Sequence, residues 1–501
     1  MESSNDFRSI LPFLPLILRS SAVFWPPSVL EALKSLSKGP IHSNVNSGQL
    51  FALAIDDLRN SLGFSSLNLS ASLGFSLFFD DLMNKDDAVK WFTEVVPKLA
   101  DLLLRLPVLL ETHYQNAGAF NETDTGLRLF ESQQSGIVFL SQELIAALLV
   151  CALFCLFPTT NRGAKHLPPI NFDNLFLCLY EYYDVSQENK IKCILHYFEK
   201  ISSDMHVGNV SFERKVLPLK NNPSCIVYPE ADFWSNSTLS LCMFEVCTSG
   251  LIEDHLTEAL EVDFANKYLG GGALSRGCVQ EEIRFMINPE LIIGMLFLPS
   301  MADNEAIEII GAERFSNYTG YAKSFRFCGD YAEKKSCDTM GRRKTRIIAI
   351  DALCNPGKRQ YKLEFLLRET NKALCGFLDT NKSRQNKMPI NEIGNDIAIG
   401  VVTGNWGCGA FGGDPQVKAV IQWLAASQGL RPFVLYYTFN LEALQKLEEV
   451  VQWIILHEWT VGELWNILVE YSNQRLKGKT KVGFFSWLLP YLYNDDPMNF
   501  D

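Results

Sequence analysis

Apolar positions recur at helical spacing through the first third of the chain. Residues 99–110 form a leucine-rich run that Pro107 is expected to break. Ser141 is placed to cap a helix that carries Glu143 in its first turn, runs to Phe157 and is ended by Pro158. The stretches 175–183 and 191–201 repeat the apolar pattern, while 43–47 and 121–125 read as loops. From about residue 225 the pattern changes. Short runs rich in aliphatic and β-branched side chains at 239–247, 260–265, 306–312, 346–353, 397–403 and 433–439 predict strands. Helical stretches lie between several of them, notably 279–287 and 414–427, and residues 441–476 return to helical spacing. Strands interleaved with helices call for an α/β layer fold around a largely buried sheet. There is no internal repeat. The chain divides on this reading into a helical accessory region, residues 1–220, and an α/β domain, residues 221–501.

Composition narrows this picture. Of 501 residues 47% are hydrophobic and 20% charged, which excludes a wholly disordered chain, a collagen-like fibre and a disulfide miniature. A formal net charge of −12 leaves no global field to attract a polyanion. A nucleic-acid-like ligand must then be held by local geometry, and direct DNA binding is not expected. The thirteen cysteines are odd in number and lack both a C-x-x-C pair and the spacing of a zinc site, so buried free thiols in a reducing compartment are expected. The seven histidines show no ligand spacing, and no metal is implied. Pro12 and Pro15 interrupt the apolar run at 10–18, which therefore does not read as a secretory signal. The longest uncharged apolar stretch, 144–157, is shorter than the ~20 residues of a membrane helix. A soluble, intracellular protein without a membrane segment is expected. Lys334, Lys335, Arg342, Arg343, Lys344 and Arg346 make one basic loop. An import signal or a polyanion contact are open to it, and a solvated loop ahead of a strand is the preferred reading.

Chemistry concentrates between residues 260 and 290. A predicted strand ends near Asp263, Gly270, Gly271 and Gly272 follow, and then come Gln280, Glu281 and Glu282. Consecutive glycines let the backbone approach a ligand closely. If the two glutamates open a helix, successive side chains point about 100° apart, so they cannot do the same job. One can face a scissile bond while the other contacts a neighbouring hydroxyl. Either feature alone is commonly structural; together, directly after a strand ending in Asp, they are far more specific.

A second glycine loop, TGNWGCGAFGGD at 403–414, follows another predicted strand. Asp414 can cap the next helix and Pro415 occupies its first turn. Strand, loop and helix N-terminus make an anion cradle of backbone N–H groups, which needs no net positive charge. Gly407, Gly409 and Gly412 also match the dinucleotide spacing G-x-G-x-x-G. The acid expected after the next strand is missing, because Asn440 follows Phe439.

VDFANKYLGGG, seven residues and then QEE resembles the signature of the poly(ADP-ribose) glycohydrolases. YTGYA at 318–322, IAIDAL at 348–353 and TGNWGCGAFGGD are similar to further segments of that family, and SQELIAALLVCALFCLFP resembles its accessory helical region. The likeness spans roughly residues 135–475, with residues 1 to about 130 left unassigned. It implies a macrodomain-like mixed sheet sandwiched by helices, and hydrolysis of the ribose–ribose bonds of poly(ADP-ribose), mainly from the chain end, with release of ADP-ribose. Glu282 is implied as acid/base, with Glu281 and Asp263 holding the ribose and supporting the reacting centre, and Asn266 and Gln280 beside them. Gly270, Gly271 and Gly272 would line the catalytic loop. Asn405, Gly407, Gly409, Ala410 and Phe411 would form the diphosphate loop. Ile252 and Glu253 would recognise adenine, Phe439 would stack on it and Tyr321 would clamp the ligand. The implied partner is poly(ADP-ribose) on modified proteins, met by a nuclear or cytoplasmic monomer without cofactor.

Glycosidic cleavage needs an acid for the departing oxygen and a base for water, which carboxyl groups of separated pKa supply. Arg276, in the loop before QEE, can point outward or reach a substrate phosphate. Two rivals remain at this level, a macrodomain reader that binds ADP-ribose without cutting it and a nucleotide-dependent oxidoreductase. The acid pair argues against the reader. Release of free ADP-ribose from labelled polymer separates all three.

Overall fold

Eight strands form the central sheet of the computed structural model, which describes residues 5–19, 22–116, 126–219, 226–379 and 399–494. In chain order the strands are β1 (Ile17–Arg19), β2 (Ala22–Phe24), β3 (Gly136–Ser141), β4 (Asn209–Val216), β5 (Met243–Cys247), β6 (Leu260–Asp263), β7 (Glu305–Ile310), β8 (Ser316–Thr319), β9 (Arg326–Asp330), β10 (Arg346–Ala349), β11 (Val401–Gly404) and β12 (Phe433–Tyr437). The order across the large sheet is β3-β4-β7-β10-β6-β11-β12-β5. Strands β10, β6, β11, β12 and β5 run parallel to one another, and β7, β4 and β3 extend the sheet from β10 with antiparallel pairings. Two smaller ribbons, β1-β2 and β8-β9, stand apart from it.

Alternation along the strands explains the layering. On β10, Ile347 and Ala349 enter a core shared with the N-terminal helices, while Ile348 enters a second core on the opposite face. Helices Gln142–Leu153 and Val185–Ser203 belong to the first core, and helices Leu363–Phe377, Pro415–Gln428, Leu447–Leu456 and Val461–Leu476 to the second. The sheet is therefore covered on both faces, as its all-buried strands β6, β7 and β11 require.

Six expected strands appear at β5, β6, β7, β10, β11 and β12, each shorter than the apolar run that announced it. Two further strands of the large sheet, and the ribbon strands β1, β2, β8 and β9, were not anticipated. Strands β3 and β4 come from the first 220 residues and join the large sheet, so that region is not purely helical. The segment NVSFERKV of β4 hides its strand character behind Arg214 and Lys215, which are buried and paired with Glu305 and Glu308 of β7. Pro107 does not break its helix, which is continuous as Val96–Asn116. Proline cannot bond back to the carbonyl four residues earlier; that carbonyl, Leu103 O, accepts from Trp25 Nε1 at 2.7 Å instead. The helix capped by Ser141 stops at Leu153, short of Phe157, and Cys155 beyond it takes a left-handed backbone. The loop expected at 121–125 and the start of the strand expected at 397 lie outside the described residues.

Charge and thiols are settled by the same packing. Lys335, Arg342, Arg343, Lys344 and Arg346 each pair with a carboxylate while Lys334 is exposed, so the basic segment is a partly solvated, largely ion-paired loop ahead of β10. The cysteines of the described residues are free, and Cys328, Cys337 and Cys354 are exposed where burial was expected. Among the described residues no helix is long and apolar enough to cross a membrane.

Candidate active site

Strand β6 ends at Asp263, and the chain loops out before returning as the helix Gln280–Ile287. The first three side chains of that helix tie the loop down. Gln280 Oε1 accepts from Phe264 N at 2.8 Å and its Nε2 donates to Val262 O at 3.1 Å, fastening the helix start to the strand end. Glu281 accepts from Asn266 N at 2.8 Å and Gly270 N at 2.7 Å. Glu282 accepts from Gly272 N and from Val279 N, both at 2.9 Å. Adjacent positions on a helix point apart, and here each glutamate gathers its own pair of amides.

This arrangement leaves no room for side chains in the loop. Gly271 has φ +49°, and a Cβ on it would lie 2.5 Å from Glu281 Oε2 and 2.8 Å from Glu282 Oε1. A Cβ on Gly277 would lie 2.6 Å from Glu282 Cδ. Both glycines allow backbone to touch carboxylate.

The electrostatics divide the acids. Asp263 is buried with no hydrogen bond to either oxygen, and burial pushes its carboxyl up to about 7, with Arg284 opposing and Glu282 adding. Burial, with Asp263 and Glu282 close by, holds Glu281 well above the usual carboxylate range despite its two amide donors. Arg284 is held by Glu261, which also pairs with Lys335. Beneath the loop, the buried Lys190 of helix Val185–Ser203 donates to Ser275 O at 2.7 Å, Gly277 O at 2.6 Å and Gly272 O at 3.5 Å. Burial lowers this ammonium to about 8.

One cavity of about 540 Å³ joins these acids to the second glycine loop. Leu251, Ile252, Phe264, Ala265, Asn266 and the 280–282 trio form one part of its wall; Asn405 to Phe411 and Phe439 form another, and Glu253, Tyr318 and Tyr321 stand between them. Among the described residues, the amides of Gly407, Gly409, Ala410 and Phe411 have no acceptor within the protein, which makes the loop an open anion cradle. Trp406 is buried beneath it, its Nε1 donating to Ile350 O at 2.9 Å and its ring facing Lys418 Nζ at 3.8 Å. At the far end, Tyr318 Oη donates to Glu253 and Arg314 Nη1 pairs with Asp254 at 2.7 Å, fixing the turn Ile252–Asp254. Phe439 sits at φ +52° with its ring 44% exposed beside Gly404, and Tyr321 stands exposed over the opening.

Thirteen of the seventeen residues singled out from sequence line this cavity: Ile252, Glu253, Asn266, Gln280, Glu281, Glu282, Tyr321, Asn405, Gly407, Gly409, Ala410, Phe411 and Phe439. Asp263, Gly270, Gly271 and Gly272 do not; Asp263 is buried beside the acids and the three glycines pack against the glutamates. The side chain of Asn405 is also engaged, donating to Thr438 O at 3.0 Å and accepting from Tyr436 Oη at 3.1 Å. Tyr318 stood inside the YTGYA motif without being singled out. Lys190 and Arg284 carried no signal of their own, since their partners are distant in sequence.

A macrodomain sheet, a helical domain before it and a carboxylate pair facing an anion cradle define the class of protein. Two family models match the chain: "Poly (ADP-ribose) glycohydrolase (PARG), helical domain" over residues 83–214 and "Poly (ADP-ribose) glycohydrolase (PARG), Macro domain fold" over 231–446. The chain is 55% identical to poly(ADP-ribose) glycohydrolase 1 of Arabidopsis thaliana, over 98% of both proteins. It is 51% identical to the probable poly(ADP-ribose) glycohydrolase 2 of the same plant, over 98% of this chain and all of that one. Poly(ADP-ribose) glycohydrolase 1 of Caenorhabditis elegans is 34% identical over 56% of this chain and 35% of its own length. The chain belongs to the poly(ADP-ribose) glycohydrolase family and is a glycosidase. Similarity also extends well ahead of residue 135, where the likeness read from sequence began.

Proposed function

We propose that the chain hydrolyses ribose–ribose O-glycosidic bonds of poly(ADP-ribose) on modified proteins, mainly from the chain end, and releases ADP-ribose. The observation that carries this reading is the single cavity in which Glu282 faces a loop with four unpaired amides. The adenine of a terminal unit lies between Phe439 and the turn at Ile252 and Glu253, its diphosphate rests on the amides of 407–411, and its distal ribose reaches Glu281 and Glu282. Glu282 protonates the departing oxygen as the bond opens through an oxocarbenium-like state, then takes a proton from the attacking water. Burial beside Asp263 raises the Glu281 carboxyl well above the usual range, which favours the neutral form of the group that meets the ribose hydroxyl. Lys190 acts through the loop and touches no substrate.

Glu282→Gln tests the assignment, because it keeps the size of the side chain and removes the proton. Release of ADP-ribose from labelled polymer should fall by ~10²–10⁴, the usual contribution of an acid/base group, while ADP-ribose affinity stays within about twofold. Cleavage at the wild-type rate would overturn the role given to Glu282.

A further inference from the structure

The cavity accommodates one ADP-ribose unit, yet a polymer presents a second on the other side of the bond. In each unit the anomeric carbon of the adenosine ribose is occupied by the base. The acetal carbon therefore belongs to the distal ribose, and the oxygen that leaves belongs to the adenosine ribose of the next unit. An adenine and a diphosphate must then lie just outside the cavity, next to Glu282.

Three segments meet at that point. Arg276 is one residue from Gly277, where a Cβ would fall 2.6 Å from Glu282 Cδ, and its guanidinium lies 4.5 Å over the ring of Tyr182, which is 51% exposed. Lys323 and Arg326 follow Tyr321, which stands on the cavity rim. Phe327 N donates to Asn189 Oδ1 at 2.9 Å, fixing this turn to the helix that begins at Val185, three residues after Tyr182. Asp184 reports the proximity: its carboxyl is held low first by the Ser186 hydroxyl and amide, and then by Lys323 and Arg326.

The charges in this corner differ from those of the basic segment at 334–346. That segment spends most of its cations on internal carboxylates. Among the described residues, Arg276, Lys323 and Arg326 have no carboxylate within ion-pair distance. Of the nearby acids, Asp184 caps its helix through Ser186 N at 2.8 Å and Glu188 pairs with Lys192 at 2.6 Å, while Glu181 is exposed beside Tyr182. Three cations beside an exposed tyrosine, in a protein of net charge −12, form a local field for a diphosphate and a face for a base. We propose that Tyr182, Arg276, Lys323 and Arg326 form the subsite that receives the next ADP-ribose unit of the polymer, on the leaving side of the bond that is cut. The proposal rests on the function given above.

Two substrates separate this role from a structural one. The first is poly(ADP-ribose); the second is an aryl ether at the anomeric carbon of the distal ribose of ADP-ribose, which has a phenol in place of the second unit. Tyr182→Ala, Arg276→Ala and Lys323→Ala with Arg326→Ala should each raise KM for polymer about ten-fold more than they change KM for the aryl substrate, the loss of one good charged or stacking contact. A polymer KM within twofold of wild type in all three, or equal losses on both substrates, would overturn the subsite. Wild-type protein that released no ADP-ribose from polymer would instead overturn the function on which the subsite rests.

Discussion

Lys190 Nζ lies 2.6 Å from the carbonyl oxygen of Gly277, so a helix from the first 220 residues holds the loop that wraps Glu282. The helical region thereby helps to build the candidate site. Lys190→Met keeps most of the apolar stem and strands the loop carbonyls, which costs about 1–3 kcal/mol for a buried unsatisfied group. Turnover of polymer should fall at least about ten-fold, because the amide of Gly272 no longer stays on Glu282. ADP-ribose affinity should change less than about threefold, since base and diphosphate are held elsewhere. A parallel loss of affinity and turnover would mean general unfolding.

Gly271→Ala probes the contact between backbone and carboxylates. The left-handed backbone alone costs roughly 1–2 kcal/mol with a Cβ, and the Glu281 oxygen 2.5 Å away must move. We expect a lower melting temperature and a kcat reduced by about 10² or more, the penalty of a small misplacement of reacting groups. Unchanged turnover would show that the carboxylates do not depend on this approach.

Asp263 makes stability depend on pH. A carboxyl whose folded pKa exceeds its unfolded value binds more protons when folded, so stability falls as pH rises between the two. For Asp263 the window runs from 3.8 to about 7. Asp263→Asn removes that dependence, and its melting temperature should gain on the wild type as pH is raised from about 4 to about 8. A difference that stays flat across this range would show that Asp263 is not neutral in the folded protein.

Phe439 is held in a left-handed backbone at the cavity mouth with nearly half of its surface exposed, a combination that packing alone does not require. Phe439→Ala should weaken ADP-ribose binding by ~1–3 kcal/mol, the value of stacking one base on an aromatic ring. Calorimetry measures it directly. An unchanged dissociation constant would remove Phe439 from the site.

Much of this was legible before any coordinates. Helix Pro415–Gln428 begins where Asp414 and Pro415 said it would, with Asp414 accepting from Gln416 N at 3.0 Å. Pro107 and strand β4 misled for one reason: both carry groups that look unsatisfied until a distant partner arrives. Trp25 supplies the missing donor for one, and Glu305 and Glu308 neutralise the other. Asp263 is buried outside the cavity lining, a depth that spacing in the sequence does not encode.

What the chain determined by itself was local: alternation for the strands, glycines wherever backbone must touch a ligand or a carboxylate, and acids at consecutive helical positions pointing apart. These follow from covalent geometry and short-range sterics, which act within a few residues. Tertiary structure alone decided which carboxyls burial pushes upward, that a lysine ninety residues before Gln280 braces the loop, and where cations without carboxylate partners gather outside the cavity. Each depends on desolvation or charge between groups far apart in sequence, and folding is what sets those distances.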